Sequence, residues 1–543
     1  MYRRIDWGAA TWSKVSGAAL NMFVDARTLP NGFTAEAEVC IVGAGAAGIT
    51  IARALGRRRR RVVLLESGWL QPDPETQSLY AGEVRDRPYF ALESARTRTR
   101  YFGGTTNEWS GECRPLSALD FEAREWVPDS GWPFGLAELL PYYERAQAVC
   151  QLGRFAYTAT DWPVANGHLI PFQSRRVRSD VFHYSPPTRF GEVYRAELQQ
   201  SDDVVAYLGA NVVGLETPSP PTRVQAARVA CLTGNNFRVR ARIVVLAAGG
   251  IENARLLLLS SETQPAGLGN TYDLVGRYFM EHVYLNRAAT LVAVDGAISD
   301  FYTDGVRTAD GRVRGILDLA PELQQAERLT HFCSVIDAEW DAPLGALAPA
   351  VVRAAGRRLP PSWKARAGRT VRRILGTTVG RAMRSMRRRR YLFKTVMEQA
   401  PNAESRVMLS RERDRLGCPR VALHWSLTSV DKRTLHRAHE VLDEELTRAG
   451  IGSLDVAVGS EDGPWPPGIR GARHHMGTTR MHRDVRRGVV DADCRVHGTG
   501  NLYVAGSSVF PTSGAANPTL TIVALAIRLA EHLDRALEEG RAE

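Results

Sequence analysis

The feature that most constrains the fold is a glycine-rich loop between two short apolar runs near the N-terminus. Residues 43–48 read Gly-Ala-Gly-Ala-Ala-Gly, which has GxGxxG spacing. The preceding residues 37–42 predict a buried strand, residues 49–55 predict the helix that follows, and residues 62–65 predict a second strand. In such a unit the glycines let backbone N–H groups and the helix N-terminus approach a pyrophosphate. The pattern therefore predicts a Rossmann-like dinucleotide-binding unit.

The second strand ends in an acid where such a unit binds a ribose. Glu66 lies 23 residues after Gly43, and a carboxylate at this position accepts hydrogen bonds from a ribose hydroxyl. A lone GxGxxG is also compatible with ordinary turns. Two strands and an acid in register favour the nucleotide site.

The length of the chain predicts more than one lobe. At 543 residues it exceeds what a single core usually organises. Segments 34–119, 201–284 and 462–543 have nucleotide-binding character, whereas 120–200 and 285–461 alternate loops, short strands and helices. The predicted fold is α/β: a Rossmann-like domain interrupted by an α+β substrate-binding domain with an antiparallel sheet and helices.

The positive charge of the chain is concentrated in one segment. Residues 342–397 contain thirteen arginines, two lysines and no acid, so their charge of +15 exceeds the +11 of the whole chain. Between Val371 and Met386 apolar residues recur at helical spacing among these arginines. Such a helix is typical of an anionic membrane surface, or of a site for an acidic protein or a phosphorylated substrate. The alternative is a lid helix packed on the second lobe, with solvated arginines.

Cysteine usage and hydropathy indicate the compartment. The seven cysteines are scattered and form no CxxC, which predicts reduced thiols and no zinc site. No apolar stretch reaches the roughly 18 residues of a membrane-spanning helix, and Asp6 and Lys14 interrupt any signal-peptide core. We expect a cytoplasmic enzyme, either free or peripheral to a membrane through 342–397.

Two motifs near the C-terminus supply the candidate chemistry. His474 begins the run His-His-Met-Gly, and Asn517 follows 43 residues later, before a proline and a predicted helix over 520–533. A neutral imidazole has a pKa suited to removing a proton from an alcohol. The Asn517 amide can hydrogen-bond the same oxygen and orient the neighbouring C–H bond.

Other histidines are interpreted as structural. In an extended backbone His475 alternates away from His474 and supports the turn. The pair Glu281-His282 follows an apolar run and could face a cleft, but a core histidine is the preferred interpretation, as it is for His424. No set of His, Asp and Glu residues has metal spacing, so no metal is expected.

Five motifs together resemble the glucose–methanol–choline (GMC) flavin oxidoreductase superfamily, nearest the branch of pyranose oxidases and bacterial sugar dehydrogenases. The likeness extends from about residue 35 to 535. The motifs are GxGxxG with Glu66, Gly103-Gly104-Thr-Thr-Asn-Glu-Trp109-Ser110, Ala247-Ala-Gly-Gly-Ile-Glu-Asn253, His474-His-Met-Gly477, and Gly506-Ser-Ser-Val-Phe-Pro511 with Asn517-Pro518. The set is far more specific than any one motif.

The resemblance implies FAD as the cofactor and assigns His474 as catalytic base. It makes Asn517 the partner of His474, where many family members carry a second histidine. The residues implied to bind FAD are Gly43, Gly45, Ala46, Ala47, Gly48, Glu66, Ser67, Gly103, Gly104, Asn107, Trp109, Ser110, Val212, Ala248, Gly249, Asn253, Gly506, Ser507, Asn517, Pro518 and Thr519.

The loop 103–110 bears on how the flavin is attached. In some relatives a histidine in this loop bonds covalently to the flavin ring. The matching residue here is Glu108, beside Asn107, and neither is suited to that bond, so FAD is expected to be noncovalent. Trp109 either lies near the ring with Ser110 or packs within the loop.

The predicted function is oxidation of an alcohol group of a sugar, polyol or sugar-bearing metabolite to a carbonyl. His474 would remove the proton, and hydride would pass to flavin N5. The alternatives are oxidation of a nonsugar primary alcohol, a GMC-type lyase with structural FAD, and a flavin subunit of a membrane electron-transfer complex. Expected partners are the small-molecule substrate and an acceptor (oxygen, a quinone or a protein), and no nucleic acid.

Overall fold

The computed structural model of the protein describes residues 22–85, 89–162, 169–340 and 388–540. The helix predicted over 371–386 lies outside the described residues. No helix in the described part of the chain is long and apolar enough to cross a membrane.

The elements are numbered here in chain order over the described residues. The strands are β1 (Phe23–Asp25), β2 (Phe33–Val42), β3 (Val62–Glu66), β4 (Gly82–Arg85), β5 (Glu112–Cys113), β6 (Val177–Tyr184), β7 (Val204–Leu208), β8 (Asn211–Glu216), β9 (Ala226–Ala230), β10 (Asn236–Leu246), β11 (Val283–Val294), β12 (Val306–Thr308), β13 (Gly311–Leu319), β14 (Phe332–Trp340), β15 (Arg388–Met397), β16 (Arg406–Arg413), β17 (Pro419–His424), β18 (Asp455–Val456), β19 (Arg470–Gly471) and β20 (Leu502–Val504). The α-helices are α1 (Ala46–Gly56), α2 (Pro74–Gln77), α3 (Ala118–Phe121), α4 (Leu136–Val149), α5 (Phe190–Val193), α6 (Arg195–Gln199), α7 (Glu252–Leu259), α8 (Asp300–Thr303), α9 (Pro321–Glu327), α10 (Ser429–Arg448) and α11 (Thr519–Glu538). Short 3-10 helices span Ala26–Thr28, Ser78–Tyr80, Gly104–Asn107, Ala159–Asp161 and Ser507–Val509.

The first sheet is a largely parallel, doubly wound sheet. Its strand order is β1-β7-β3-β2-β10, with parallel pairing throughout. Strand β10 pairs with antiparallel β9 at its start and with parallel β20 at its end. Every residue of β3 is buried, as expected for a strand covered on both faces. The predicted Rossmann-like domain is confirmed, with β2, β3, α1 and α11 close to their predicted positions.

The second sheet is antiparallel and belongs to the other lobe. Its order is β18-β11-β15-β14-β13-β6-β5, with β12 added on β13 and β19 added on β11. Helix α10 covers it with an apolar face, because Leu435, Ala438, Leu442 and Leu446 recur at the three- or four-residue spacing of one helix side. The predicted antiparallel sheet with helices is therefore present, and residues 388–397 of the basic segment form one of its central strands.

One helix from the residue range predicted for the second lobe packs instead against the nucleotide-binding lobe. Helix α4 contacts α11, and the Tyr143 hydroxyl lies 2.8 Å from that of Thr521. The Tyr143 ring is buried in the same apolar cluster as the parallel sheet. Part of the range 120–200 therefore stabilises the nucleotide-binding lobe.

Candidate active site

A cavity of about 440 Å³ opens at the carboxyl ends of the central parallel strands. Its wall includes the loops that follow β2, β3, β10 and β20, together with residues 472–475 and 517–519. Ligands of doubly wound sheets bind at this edge. The sequence-distant motifs therefore converge on one space.

The glycine-rich loop has the geometry of a cradle. Gly43 has φ +105°, and a Cβ there would lie 2.7 Å from the Ala247 carbonyl oxygen. A Cβ on Gly48 would lie 1.9 Å from the Gly43 oxygen, whereas a Cβ on Gly45 would meet nothing within 4 Å. Gly43 and Gly48 are thus required by the loop itself, and Gly45 leaves free space on the cavity side.

Glu66 is held beside this loop by backbone donors. Its buried carboxylate accepts hydrogen bonds from the N–H groups of Ala44 and Gly68, both at 2.9 Å. The Glu66 side chain lines the cavity and keeps further acceptor capacity on both oxygens. The space between Gly45 and Glu66 therefore fits the pyrophosphate and ribose of a dinucleotide.

The loop 103–110 lies against the glycine-rich loop. The Gly103 N–H donates to the Ala44 oxygen at 2.9 Å, and Asn107 Nδ2 donates to the Phe102 oxygen at 3.0 Å. The Trp109 indole N–H donates to the Thr188 oxygen at 3.0 Å, so this ring is anchored and also lines the cavity.

Asn253 joins two of the loops that form the wall. Its Oδ1 accepts from the Ala248 N–H at 2.8 Å, and its Nδ2 donates to the Ala505 oxygen at 3.0 Å and to Ser508 Oγ at 2.9 Å. The side chain is fully buried. Asn253 therefore fixes the ends of β10 and β20 relative to each other from behind the wall.

Most of the residues predicted to bind the cofactor or the substrate share this wall. Those that line the cavity are Gly43, Gly45, Ala46, Ala47, Glu66, Ser67, Gly104, Trp109, Ser110, Val212, Ala248, Gly249, His474, Gly506, Ser507, Asn517, Pro518 and Thr519. Gly48, Gly103, Asn107 and Asn253 are not on the wall, and their contacts hold its loops in place.

His474 is held on one side and open on the other. Its backbone N–H donates to Glu281 Oε2 at 2.7 Å, and its Nδ1 lies 2.9 Å from Nδ1 of His282. Among the described residues no hydrogen-bond partner contacts Nε2, and the side chain lines the cavity. Burial, reinforced by the neighbouring His282, His475 and Arg473, lowers the pKa of His474 well below 6.5, so the neutral imidazole prevails.

The sequence did not reveal His282 as the neighbour of His474. The core position that the sequence predicts for His282 is confirmed, since the residue is fully buried, yet its imidazole contacts His474. The contact arises because residues 280–284 pair antiparallel with 470–476, with Met280 opposite Met476 and Val283 opposite Gly471. The second segment therefore has two extra residues, a bulge of the kind that redirects side chains at functional sites.

Glu281 and Tyr89 support the bulge from the other side. The Glu281 carboxylate accepts from the Tyr89 hydroxyl and from the backbone of His474. Burial raises the pKa of this carboxyl to about 7 even though these hydrogen bonds oppose the shift. His475 also lines the cavity, and its Nε2 lies 3.1 Å from the Tyr89 hydroxyl oxygen.

Asn517 lies on the same wall, at the start of α11. Its Nδ2 donates to Glu112 Oε2 at 3.4 Å, and the Tyr184 hydroxyl donates to the other oxygen of Glu112 at 3.3 Å. Pro518 occupies the N-cap position of α11, which fixes the backbone next to Asn517. No group of three or more His, Cys, Asp or Glu side chains in the described ranges is arranged to hold a metal ion.

The fold contains a Rossmann-like nucleotide-binding unit, and comparison with known proteins shows which family the chain resembles. Residues 401–526 match the profile of GMC oxidoreductases, and residues 41–70 match that of an NAD(P)-binding Rossmann-like domain. The chain is thus similar to GMC oxidoreductases in its C-terminal part and to Rossmann-like domains at its glycine-rich loop. The predicted likeness to this family and the predicted enzyme class are confirmed, and FAD, the predicted cofactor, is the cofactor that this likeness implies.

The similar proteins extend over nearly the whole chain. The chain is 27% identical to paromamine 6'-oxidase of Streptomyces fradiae, over 91% of this chain and 90% of that protein. It is 23% identical to the fructose dehydrogenase large subunit of Gluconobacter japonicus, over 93% and 99% of the two chains. A variant of Aspergillus oryzae formate oxidase has the same fold, with a TM-score of 0.55, 15% identity, and coverage of 94% of this chain and 100% of that one.

Two glycine substitutions test the cradle. Gly45→Ala should leave the folding of the loop unchanged, because a Cβ there meets no protein atom within 4 Å, but it should weaken FAD binding by filling the cavity side. Gly48→Ala should destabilise the protein itself, since its Cβ would overlap the Gly43 oxygen. FAD content per chain, together with the thermal midpoint of FAD-free protein, measures both effects. Equal midpoints for the two variants would contradict this assignment of the glycines.

Proposed function

We propose that this protein oxidises an alcohol group of a sugar, polyol or sugar-bearing metabolite to a carbonyl. The single observation that supports this most is the convergence of His474 and Asn517 on the cavity that also contains the dinucleotide cradle. FAD, when bound, supplies the two-electron acceptor for the carbon being oxidised. The protein's own groups must then bind the cofactor, orient the alcohol and accept its proton.

His474 is the proposed base. Its Nδ1 is engaged by His282, so Nε2 is the nitrogen open to an alcohol in the cavity. Because its pKa is lowered by burial, the imidazole is already neutral at neutral pH and can accept the hydroxyl proton. Asn517 is proposed to hydrogen-bond the same oxygen and fix the direction of the C–H bond.

The polar wall near Asn517 supports a polyhydroxylated substrate. Glu112, which contacts Asn517, lines the cavity together with Glu108 and Ser110, and their oxygens can accept hydrogen bonds from several hydroxyl groups. Paromamine 6'-oxidase and the fructose dehydrogenase large subunit are named for sugar-type substrates. A relative named 2-methyl-1,2-propanediol dehydrogenase keeps a nonsugar alcohol as the second candidate.

Anaerobic mixing of the FAD-bound protein with a panel of sugars, polyols, amino sugars and simple alcohols tests the proposed function. We expect rapid loss of the oxidised flavin absorbance with at least one polyhydroxylated compound, and slower loss with simple alcohols. Bleaching only by a nonsugar alcohol would favour the second candidate. A flavin that no alcohol bleaches would instead favour a lyase with structural FAD.

Substitution of the two proposed catalytic residues tests their roles. His474→Ala should retain FAD and slow flavin reduction by a factor of about 10² or more, as loss of a general base does. Asn517→Ala should slow it less, since its proposed contribution is orientation. His482→Ala is a matched control, because His482 lies outside the cavity wall. Near-normal reduction in His474→Ala would remove this residue from the role of base.

We also propose that FAD is bound noncovalently. No histidine or cysteine occurs in the loop 103–110, and Glu108 takes the position used for attachment in some relatives. Acid precipitation of the purified protein should therefore leave the yellow flavin in the supernatant. Flavin retained in the pellet would show that an attachment residue lies elsewhere, and the histidines and cysteine on the cavity wall, His474, His475 and Cys418, would be the candidates.

A further inference from the structure

We propose that His282 is a positioning residue that fixes the tautomer of His474. In this arrangement His474 carries its proton on Nδ1, donates it to Nδ1 of His282, and presents the lone pair of Nε2 to the cavity. The inference rests on the proposed function, in which His474 is the base, and adds the group that makes the correct nitrogen available.

The contact between the two rings admits only one donor. The Nδ1 atoms lie 2.9 Å apart, and the ring planes are inclined at 86° with their centroids 4.9 Å apart. In a hydrogen bond between two neutral imidazoles, one nitrogen must carry the proton and the other must offer a lone pair. The contacts of the second nitrogen of each ring, Nε2, therefore determine which ring is the donor.

The contact made by the other ring nitrogen of His282 determines which imidazole donates the hydrogen bond. Its Nε2 lies 3.4 Å from the carbonyl oxygen of Ser513, and a carbonyl can only accept, so Nε2 carries the proton. The ring is completely buried, and burial lowers its pKa to about 4, which keeps it neutral at neutral pH. A neutral His282 with its proton on Nε2 has a lone pair on Nδ1, and His474 must donate to it.

The reverse hydrogen bond, in which His282 donates to His474, is unfavourable for both rings. It would move the His282 proton to Nδ1, so that the Nε2 lone pair would face the Ser513 carbonyl and the buried oxygen would lose this donor. It would also place the His474 proton on Nε2, where the ring could not accept a proton from an alcohol. The backbone holds the favourable geometry, since Glu281 accepts the His474 N–H and the adjacent strand pairing fixes His282.

The same contact also stabilises the charge formed during the reaction. When the alcohol proton reaches Nε2, His474 becomes an imidazolium with protons on both nitrogens. Its Nδ1–H still donates to the neutral His282, which spreads the new charge without further rearrangement. His282 thus does not exchange a proton with the substrate and acts only through His474.

A pair of variants of similar shape separates hydrogen bonding from packing. In His282→Asn the side-chain oxygen can occupy the place of Nδ1 and still accept from His474, whereas His282→Leu has nearly the same shape and no acceptor. Both lose the contact with the Ser513 carbonyl. We expect both to retain FAD, with flavin reduction at saturating substrate slowed about tenfold or more in the leucine variant and within about threefold of the wild type in the asparagine variant. The substrate concentration giving half the maximal rate should change little in either.

Two results would overturn the proposal: a leucine variant that reduces flavin as fast as the wild type, or asparagine and leucine variants that are slowed equally.

A measurement on the unchanged FAD-bound protein, independent of activity, avoids any effect of the substitutions on folding. In histidine-¹⁵N-labelled protein, with His474 assigned by its loss in His474→Gln, Nδ1 should have the shift of a protonated nitrogen and Nε2 that of an unprotonated one. The opposite assignment would also overturn the proposal. If the proposed function fails, no alcohol bleaches the wild-type flavin, and the ¹⁵N result still stands on its own.

Discussion

The irregular antiparallel pairing of residues 280–284 with 470–476 is the contact on which the candidate site depends. It joins the start of β11, a strand of the antiparallel sheet, to the segment that contains His474, and its two extra residues turn that imidazole toward the cavity. Arg473 adopts φ +70° within this bulge, a conformation uncommon for a residue with a side chain. The Glu281 carboxylate satisfies the N–H group of His474 there, so the unusual backbone is held by hydrogen bonds and packing.

Burial determines the charge state of the groups around this pairing. Burial lowers the pKa values of His282 and His475 to about 4 and about 3, and raises that of the Glu281 carboxyl to about 7. Charged forms are expensive where water is excluded, so burial favours the neutral states of these groups. They hydrogen-bond to neighbouring side chains, His282 to His474 and both His475 and Glu281 to Tyr89. A neutral imidazole beside the dinucleotide cradle is what proton abstraction from an alcohol requires.

The parts of the molecule that follow local rules were predictable from the sequence. The glycine loop, Glu66, and the strand before Ala247 depend on short-range patterns, so both their positions and their convergence were expected. His282 and Tyr89 depend on a bulged pairing between segments nearly 200 residues apart, which no local pattern encodes. The motifs also do not show which residues line the cavity and which hold its loops in place. Asn253, for example, acts through buried hydrogen bonds that form only when the loops are packed together.

A crystal structure of the FAD-bound protein with an alcohol whose reacting carbon carries no hydrogen would test the central claim most directly. Such a tertiary alcohol analogue of the best substrate can bind but cannot be oxidised. We predict that its hydroxyl oxygen lies at about 2.6–3.2 Å from His474 Nε2 and within hydrogen-bond distance of Asn517, with the substituted carbon facing the flavin. An analogue bound with its hydroxyl away from His474, or a His474 ring with Nδ1 toward the ligand, would contradict the claim.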